Sequence, residues 1–221
     1  MANDLQIYTL AIVLIGDFNP VIISPFWLSG KGLIREEEAR KAKIELIHND
    51  VTRYELSWAK IEVTQKRFEI RTSQEPYFEP IKDLAISIFD ILRETPITIM
   101  GINHLQYFAV SNGDTYYNFG NKFAPLNNWK DILNDPKMQS LEIVEEKRKD
   151  GLNGKFRIRI TPSEIALSTP YGILIHANDE VGLQKGEAGK DREIIKQLAN
   201  VWKSSMERTN KAVESIWKKI N

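Results

Sequence analysis

The chain has 221 residues, 42% of them apolar and 27% charged, which is the composition of a core-forming globular protein and excludes disordered, collagenous and membrane-spanning classes. Thirty Lys plus Arg balance thirty Asp plus Glu, so no global field advertises a polyanionic partner. Cysteine is absent, which removes disulfide frameworks, thiol catalysis and cysteine-ligated zinc or iron–sulfur sites.

The first apolar run, Leu10–Ile15, is too short to span a bilayer. It lacks the basic flank and small-residue cleavage site of a secretory signal. It reads as the buried part of a strand over Leu5–Ile15, in a cytoplasmic protein with no membrane partner. An irregular stretch follows from Asp17 to Leu28, broken by Pro20 and Pro25, and then a charged segment around Glu36–Arg40. Ile44, Leu46 and His48 alternate with Lys43, Glu45 and Ile47. After a turn at Asn49-Asp50, Tyr54, Leu56 and Trp58 alternate with Arg53, Glu55 and Ser57. Ile61 and Val63 continue that apolar face past a slip in phase, which predicts a bulge or bend. Gln65-Lys66 predicts the next turn, leading into Phe68 and Ile70. One apolar and one charged face is the pattern of an antiparallel sheet with one side in water.

The period then becomes helical. Ile81, Leu84, Ala85, Ile88, Phe89 and Leu92 predict a helix over 78–93, with Pro80 in its first turn and Pro96 beyond its end. Ile97–Val110 predicts a long strand, and Asn112-Gly113 a hairpin along which Tyr116, Tyr117 and Phe119 return. Asn127 or Asn128 caps a short predicted helix through Leu133. Strands follow at Leu141–Val144, at Phe156–Ile160 after a second hairpin signal at Asn153-Gly154, and at Ile173–Ile175. The last helix, over 191–220, carries Ile194, Leu198, Val201, Trp202, Met206, Val213, Ile216, Trp217 and Ile220 on one stripe.

The expected fold class is therefore α+β: antiparallel sheets in two strand-rich halves, 1–95 and 96–221, each closed by an amphipathic helix packed on one face. The interruptions of the two halves rhyme, with Phe18, Pro20 and Trp27 in the first and Phe123, Pro125 and Trp129 in the second. Duplication explains the likeness, and so does the small menu that the periods allow.

The segment Ile97-Thr-Ile-Met-Gly-Ile-Asn-His-Leu-Gln-Tyr-Phe108, directly after a helix, resembles the post-helix strand of a sporadically distributed bacterial family of uncharacterised function. In that family a long amphipathic helix closes the chain after a short Ile-rich strand, as Ile194–Ile220 and Gly172–Ile175 do here. The acidic residues of its last strand stand here only as Asn178-Asp179, further along. The resemblance implies a duplicated antiparallel α+β plan, similar in outline to the tunnelling folds that bind purines and pterins. It carries over no catalytic residue.

Candidate chemistry is sparse. Three histidines, His48, His104 and His176, fall in predicted strands without the spacing of a metal motif, and no Gly-x-Ser-x-Gly elbow supports a nucleophile. No catalytic residue, metal ligand or cofactor is assigned, and His104 beside Asn103 and Gln106 is the cluster to inspect. The Gly182–Gly189 loop fails the phosphate-loop pattern, because Gln184 stands for its first glycine and Asp191 for its magnesium-binding hydroxyl. It reads as a linker into a helix capped by Asp191. Lys155, Arg157 and Arg159 project from one face of a strand, with Lys147, Arg148 and Lys149 before them, a candidate phosphate-backbone surface unless Glu145, Glu146 and Asp150 pair with it.

The last helix is longer than a strand of ~17–20 Å can cover. Its surplus stripe, Trp202, Val213, Ile216, Trp217 and Ile220, is therefore the candidate interface. Together these point to a non-enzymatic interaction or assembly protein, a subunit of a bacterial homo-oligomer or multiprotein complex. A nucleic-acid-binding subunit using the basic sheet face is the first alternative. A purine- or pterin-type small-molecule binder, with Glu142 or Gln106 reading the ring edge, is the second.

Overall fold

In the computed structural model, which describes residues 4–163, 165, 167–183 and 191–220, the strands form one continuous antiparallel sheet. The fold is α+β. In chain order the elements are β1 (Asp4–Gly16), α1 (Pro25–Gly30), α2 (Glu36–Lys41), β2 (Lys43–Ile47), β3 (Val51–Glu55), β4 (Lys60–Thr64), β5 (Arg67–Thr72), α3 (Phe78–Ile91), β6 (Ile97–Ala109), α4 (Gly113–Phe123), β7 (Leu141–Glu145), β8 (Gly154–Pro162), β9 (Gly172–Gly182) and α5 (Asp191–Lys218). The strand order is β2-β3-β4-β5-β1-β6-β9-β8-β7. Two separate sheets were the expectation. They are joined because β1 and β6, both 13 residues long, pair antiparallel from Asp4↔Ala109 to Gly16↔Ile97.

Alternation decides what each face carries. Leu10, Ile12 and Leu14 of β1, Phe68 and Ile70 of β5, and Met100 and Ile102 of β6 face the helices and are buried. Ile81, Leu84, Ala85, Ile88 and Phe89 of α3 pack on them, as the helical period predicts, and so do Ile194, Leu198, Val201 and Trp202 of α5. Helices α3 and α5 also touch each other, and Trp202 Nε1 donates to Glu79 Oε1 of α3 at 2.6 Å. Among the described residues the opposite face bears no helix; it is built from Thr9, Ala11 and Val13 of β1 and Asn103, Leu105 and Tyr107 of β6, flanked by the charged residues of the outer strands.

Several local expectations change. The predicted bulge after Trp58 is a hairpin between β3 and β4, closed by Leu56 N–H donating to Ala59 O. Asn112-Gly113 does not turn a hairpin. Asn112 is extended and its side chain accepts from Thr115 N at 2.8 Å, so it caps α4, and Gly113 does not take the positive φ that a type I′ turn needs. The aromatic residues that read as a returning strand are thus one helix, with Phe119 buried. The short helix expected through Leu133 is a 3-10 turn over Leu126–Trp129. Gly154 has φ +143° and a Cβ there would lie 2.0 Å from Glu180 O, so the backbone of β8 comes closer to β9 than any side chain permits. Of the linker expected over Gly182–Gly189, Gly182 ends β9 and residues 184–189 lie outside the described residues, and Asp191 is the first residue of α5.

The length argument for a surplus helix also fails. α5 follows β6 in the same direction: Ile195 lies near Ile97, Ser205 bonds His104, and Trp217 packs on Phe108. A 28-residue helix is about 42 Å long and a 13-residue strand about 43 Å, so the strand matches the helix end to end. Trp217 meets Phe108 and Phe119 edge-on at centroid distances of 5.1 and 5.4 Å. Trp217→Ala should therefore cost about 3–5 kcal/mol in urea unfolding, with Trp217→Phe costing less. A loss under ~1 kcal/mol for Trp217→Ala would show that the helix end is not docked.

Candidate functional site

The six basic residues of the predicted phosphate surface do not share one face. Lys155, Arg157 and Arg159 project from the open face of β8 as the alternation requires, but each meets a carboxylate. Arg157 Nη2 lies 3.2 Å from Glu180, Arg159 Nη2 2.5 Å from Glu142, and Lys155 Nζ 3.6 Å from Glu146. Lys147 and Lys149 are exposed in the turn after β7. Arg148 points the other way. Its side chain is buried, pairs with Asp179, donates to Glu180 O at 3.0 Å, and holds Asp150 at 2.5 Å. Its hydrogen bonds keep the Asp150 carboxyl below the usual range. Arg148 is thus a core residue, and the three cations of β8 are each paired with a carboxylate rather than forming a bare cationic surface.

The helix stripe is used inside the chain. Trp202 belongs to the larger apolar cluster, Val213, Ile216 and Trp217 are buried in a second cluster with Phe108, Phe119, Ile160, Ile173 and Ile175, and Ile220 packs half-buried against the latter. Terminal apolar residues need a dock, and the chain's own sheet supplies it.

The three histidines stand apart. His48 lies in the exposed turn after β2, 3.3 Å from Asp50, rather than in a strand. Alternation sends His104 and Gln106 under α5 and Asn103 to the open face, so the inspected cluster is split. Among the described residues no group of three or more acidic, histidine or cysteine residues could hold a metal ion. Glu142 and Gln106, the ring-edge candidates, also lie on opposite faces, with Glu142 held by Arg159 and Gln106 buried beside Tyr8.

Two polar constellations result. Under α5, His104 Nδ1 lies 2.7 Å from Tyr8 Oη and its Nε2 3.1 Å from Ser205 Oγ, with Tyr8 Oη 3.7 Å from Met206 Sδ. Burial drives the His104 pKa down to about 3 and the Tyr8 pKa up to about 12, so both are neutral. The sequence did hold a signal for this site, since Ser205 and Thr209 interrupt the apolar stripe of α5 between Trp202 and Val213. On the open face, Asn103 Oδ1 accepts from His176 Nε2 at 3.0 Å and from Asn178 Nδ2 at 2.8 Å. This leaves His176 Nδ1 as an acceptor. Burial, helped by Arg159, lowers the His176 pKa. Asn103 and His176 border a wide hollow of about 700 Å³ whose lining also includes Trp58 and Gln74. Its three cations, Lys60, Arg67 and Arg71, share two carboxylates, Glu55 and Glu69, which leaves it polar with a small positive excess.

The other conspicuous surfaces are the two sheet edges, β2, where Ile44, Leu46 and Ile47 are exposed, and β7. Among the described residues, Trp129, Ile132 and Leu133 in the segment that leads to β7 are 51%, 73% and 50% exposed, and Ile143 and Val144 on β7 itself are 60% and 38% exposed. Sequence reasoning placed Ile143 and Val144 in a strand but had no means of knowing that the strand is outermost. No family model matches the chain, and no curated protein matches it. Among the described residues no helix is long and apolar enough to cross a membrane.

The buried imidazole has a pH signature. The folded pKa of His104 is depressed, so between roughly pH 6.5 and 3 the unfolded chain takes up a proton that the folded chain refuses. Stability is then full above the unfolded pKa and falls by up to about 1.4 kcal/mol per pH unit as the pH drops through that window. In urea unfolding followed from neutral pH to about pH 5, His104→Gln should show a shallower decline than wild type. Equal slopes would contradict a buried, neutral His104.

Proposed function

We propose that the chain is an interaction protein, a cytoplasmic subunit of a homo-oligomer or multiprotein complex, and that it associates through the β7 edge and the segment ahead of it. The observation that carries this reading is that the outermost strand β7 leaves Ile143 and Val144 exposed, with Trp129, Ile132 and Leu133 exposed in the segment that precedes it in sequence. Scattered apolar residues are normal on a surface, but exposed apolar side chains on a strand with an unpaired outer edge favour association. The last helix, the site expected from the sequence, serves the chain's own core instead. Nucleic-acid binding through Lys155, Arg157 and Arg159 draws no support from the geometry, because each is met by a carboxylate.

The same reading includes a two-half plan, 1–95 and 96–221. The strand order supports it: from the sheet centre outwards the first half runs β1, β5, β4, β3, β2 and the second β6, β9, β8, β7, each half beginning with its first strand and then its last. Light scattering tests the association. Wild type at tens of micromolar should exceed the 25.5 kDa of one chain, and Ile143→Lys with Val144→Lys should return it to that mass with unchanged circular dichroism. A wild-type monomer that binds no partner at any accessible concentration would overturn the reading.

A further inference from the structure

The two edges of the sheet differ in how well they are protected. An edge strand offers a row of unpaired N–H and C=O groups to any strand that can reach it, and proteins blunt such edges with bulges, lysines or prolines. At one edge, β2 slips register against β3 between Ile44 and Leu46 and begins with Lys43. The slip blunts that edge for strand pairing, although Ile44, Leu46 and Ile47 are exposed on it. At the other, β7 pairs with β8 through five consecutive positions, Leu141↔Ile160 to Glu145↔Phe156, without a shift. Its sequence, Leu-Glu-Ile-Val-Glu, holds no proline, glycine or lysine.

The charges of β7 are already answered from within the chain. Glu142 is held by Arg159, and Glu145 by Arg208 of α5, whose guanidinium also covers the Phe156 ring at 4.0 Å. The remaining exposed groups on the strand are Ile143, on the helix-covered face with Leu141 and Glu145, and Val144, on the open face with Glu142.

We propose that a second copy of this chain docks on β7, pairing antiparallel about a two-fold axis at Ile143, so that two nine-stranded sheets run on as one. This rests on the association reading above and names its partner. The register follows from elimination among the three inner residues, because centring on Leu141 or Glu145 leaves a single residue of β7 opposite its copy. Residues directly opposite in an antiparallel pair lie on the same face, so only registers centred on a residue keep the helices of both copies on one side. Centring on Glu142 sets that carboxylate against its own copy, which is destabilising. Centring on Val144 sets Ile143 against Glu145 and Glu142 against Glu146. Centring on Ile143 sets Ile143 against Ile143, Glu142 against Val144 and Leu141 against Glu145, so no carboxylate faces another. It also covers the most exposed apolar side chain of the strand with its own copy. A closed two-fold contact uses both β7 edges and leaves only the two blunted β2 edges outside, so growth stops at the dimer. Five residues make a small interface, and the dimer forms in a concentration-dependent way.

The absence of cysteine makes the test clean, because a single introduced thiol has no competitor. Ile143→Cys should form an intermolecular disulfide rapidly under mild oxidation, since opposed Cα atoms sit within bridging distance. Val144→Cys alone should not, because its nearest copy is diagonal and at ~7–8 Å beyond reach. An equimolar mixture of Glu142→Cys and Val144→Cys should yield the mixed dimer as its main cross-linked product. If light scattering shows a dimer but these three results fail, the strand pairing is overturned while the association reading stands. A monomer at every concentration, with no cross-link, overturns both.

Discussion

The antiparallel pairing of β1 with β6 is the contact on which the remaining structure depends. Each strand is 13 residues long, and their register holds across the sheet apart from irregularities near either end. Every other strand attaches outwards from this pair, β5 to β1 and β9 to β6. The helices depend on it too, since α3 packs on β1 and β5 while α5 lies along β6 and β9. Without the pair, each side would present a long apolar edge to water, the arrangement that proteins avoid. The pair also joins residues about a hundred positions apart, so the loop-closure entropy it incurs must be offset by burial of the whole central core.

Along β6 the core is not uniform. Two apolar clusters are separated by a polar belt made of Tyr8, His104, Gln106, Ser205 and Thr209, with Asp179 of β9, paired to Arg148, on the neighbouring strand. Apolar packing alone tolerates a helix sliding along a strand. A buried imidazole with both nitrogens engaged does not, because a slip of one turn leaves donors and acceptors unpaired at roughly 1–3 kcal/mol each. The belt therefore sets the register of α5 on β6, and thereby aligns Trp202 with Glu79 at one end and Trp217 with Phe108 at the other. The same logic applies to Arg148, whose removal would strand Asp179 in the interior.

Much of this was legible where one face of an element meets the core and the other meets water. The alternation of Arg67–Arg71 and the helical spacing of Ile81 to Leu92 read directly as β5 and α3, because local period and tertiary burial agree there. Failures came where the deciding contact is distant. Nothing local distinguishes a strand that ends a sheet from one that continues it, so the joining of β1 to β6 and the outermost place of β7 were not readable. Asn112-Gly113 carries the same residues whether it turns a hairpin or caps a helix, and the helical spacing of Tyr116, Phe119 and Phe123 won. Arg148 sits in a turn, where alternation gives no facing, and its charge suggested surface while Asp179 held it inside. The last helix exceeds a strand of ordinary length, but β6 is unusually long and extends for its full length beneath it.

Association at the β7 edge fits this architecture, since the helices and the central strands have already used their own apolar faces. The account's central claim is that one long strand pair makes both sides of the sheet a single cooperative unit. Native-state hydrogen exchange across a urea series measures this most directly. The account predicts that central amides of β1, β5, β6 and β9 exchange only through global unfolding, converging on one free energy. Amides of β6 and β9 that exchange through an opening which leaves β1 and β5 protected would contradict it.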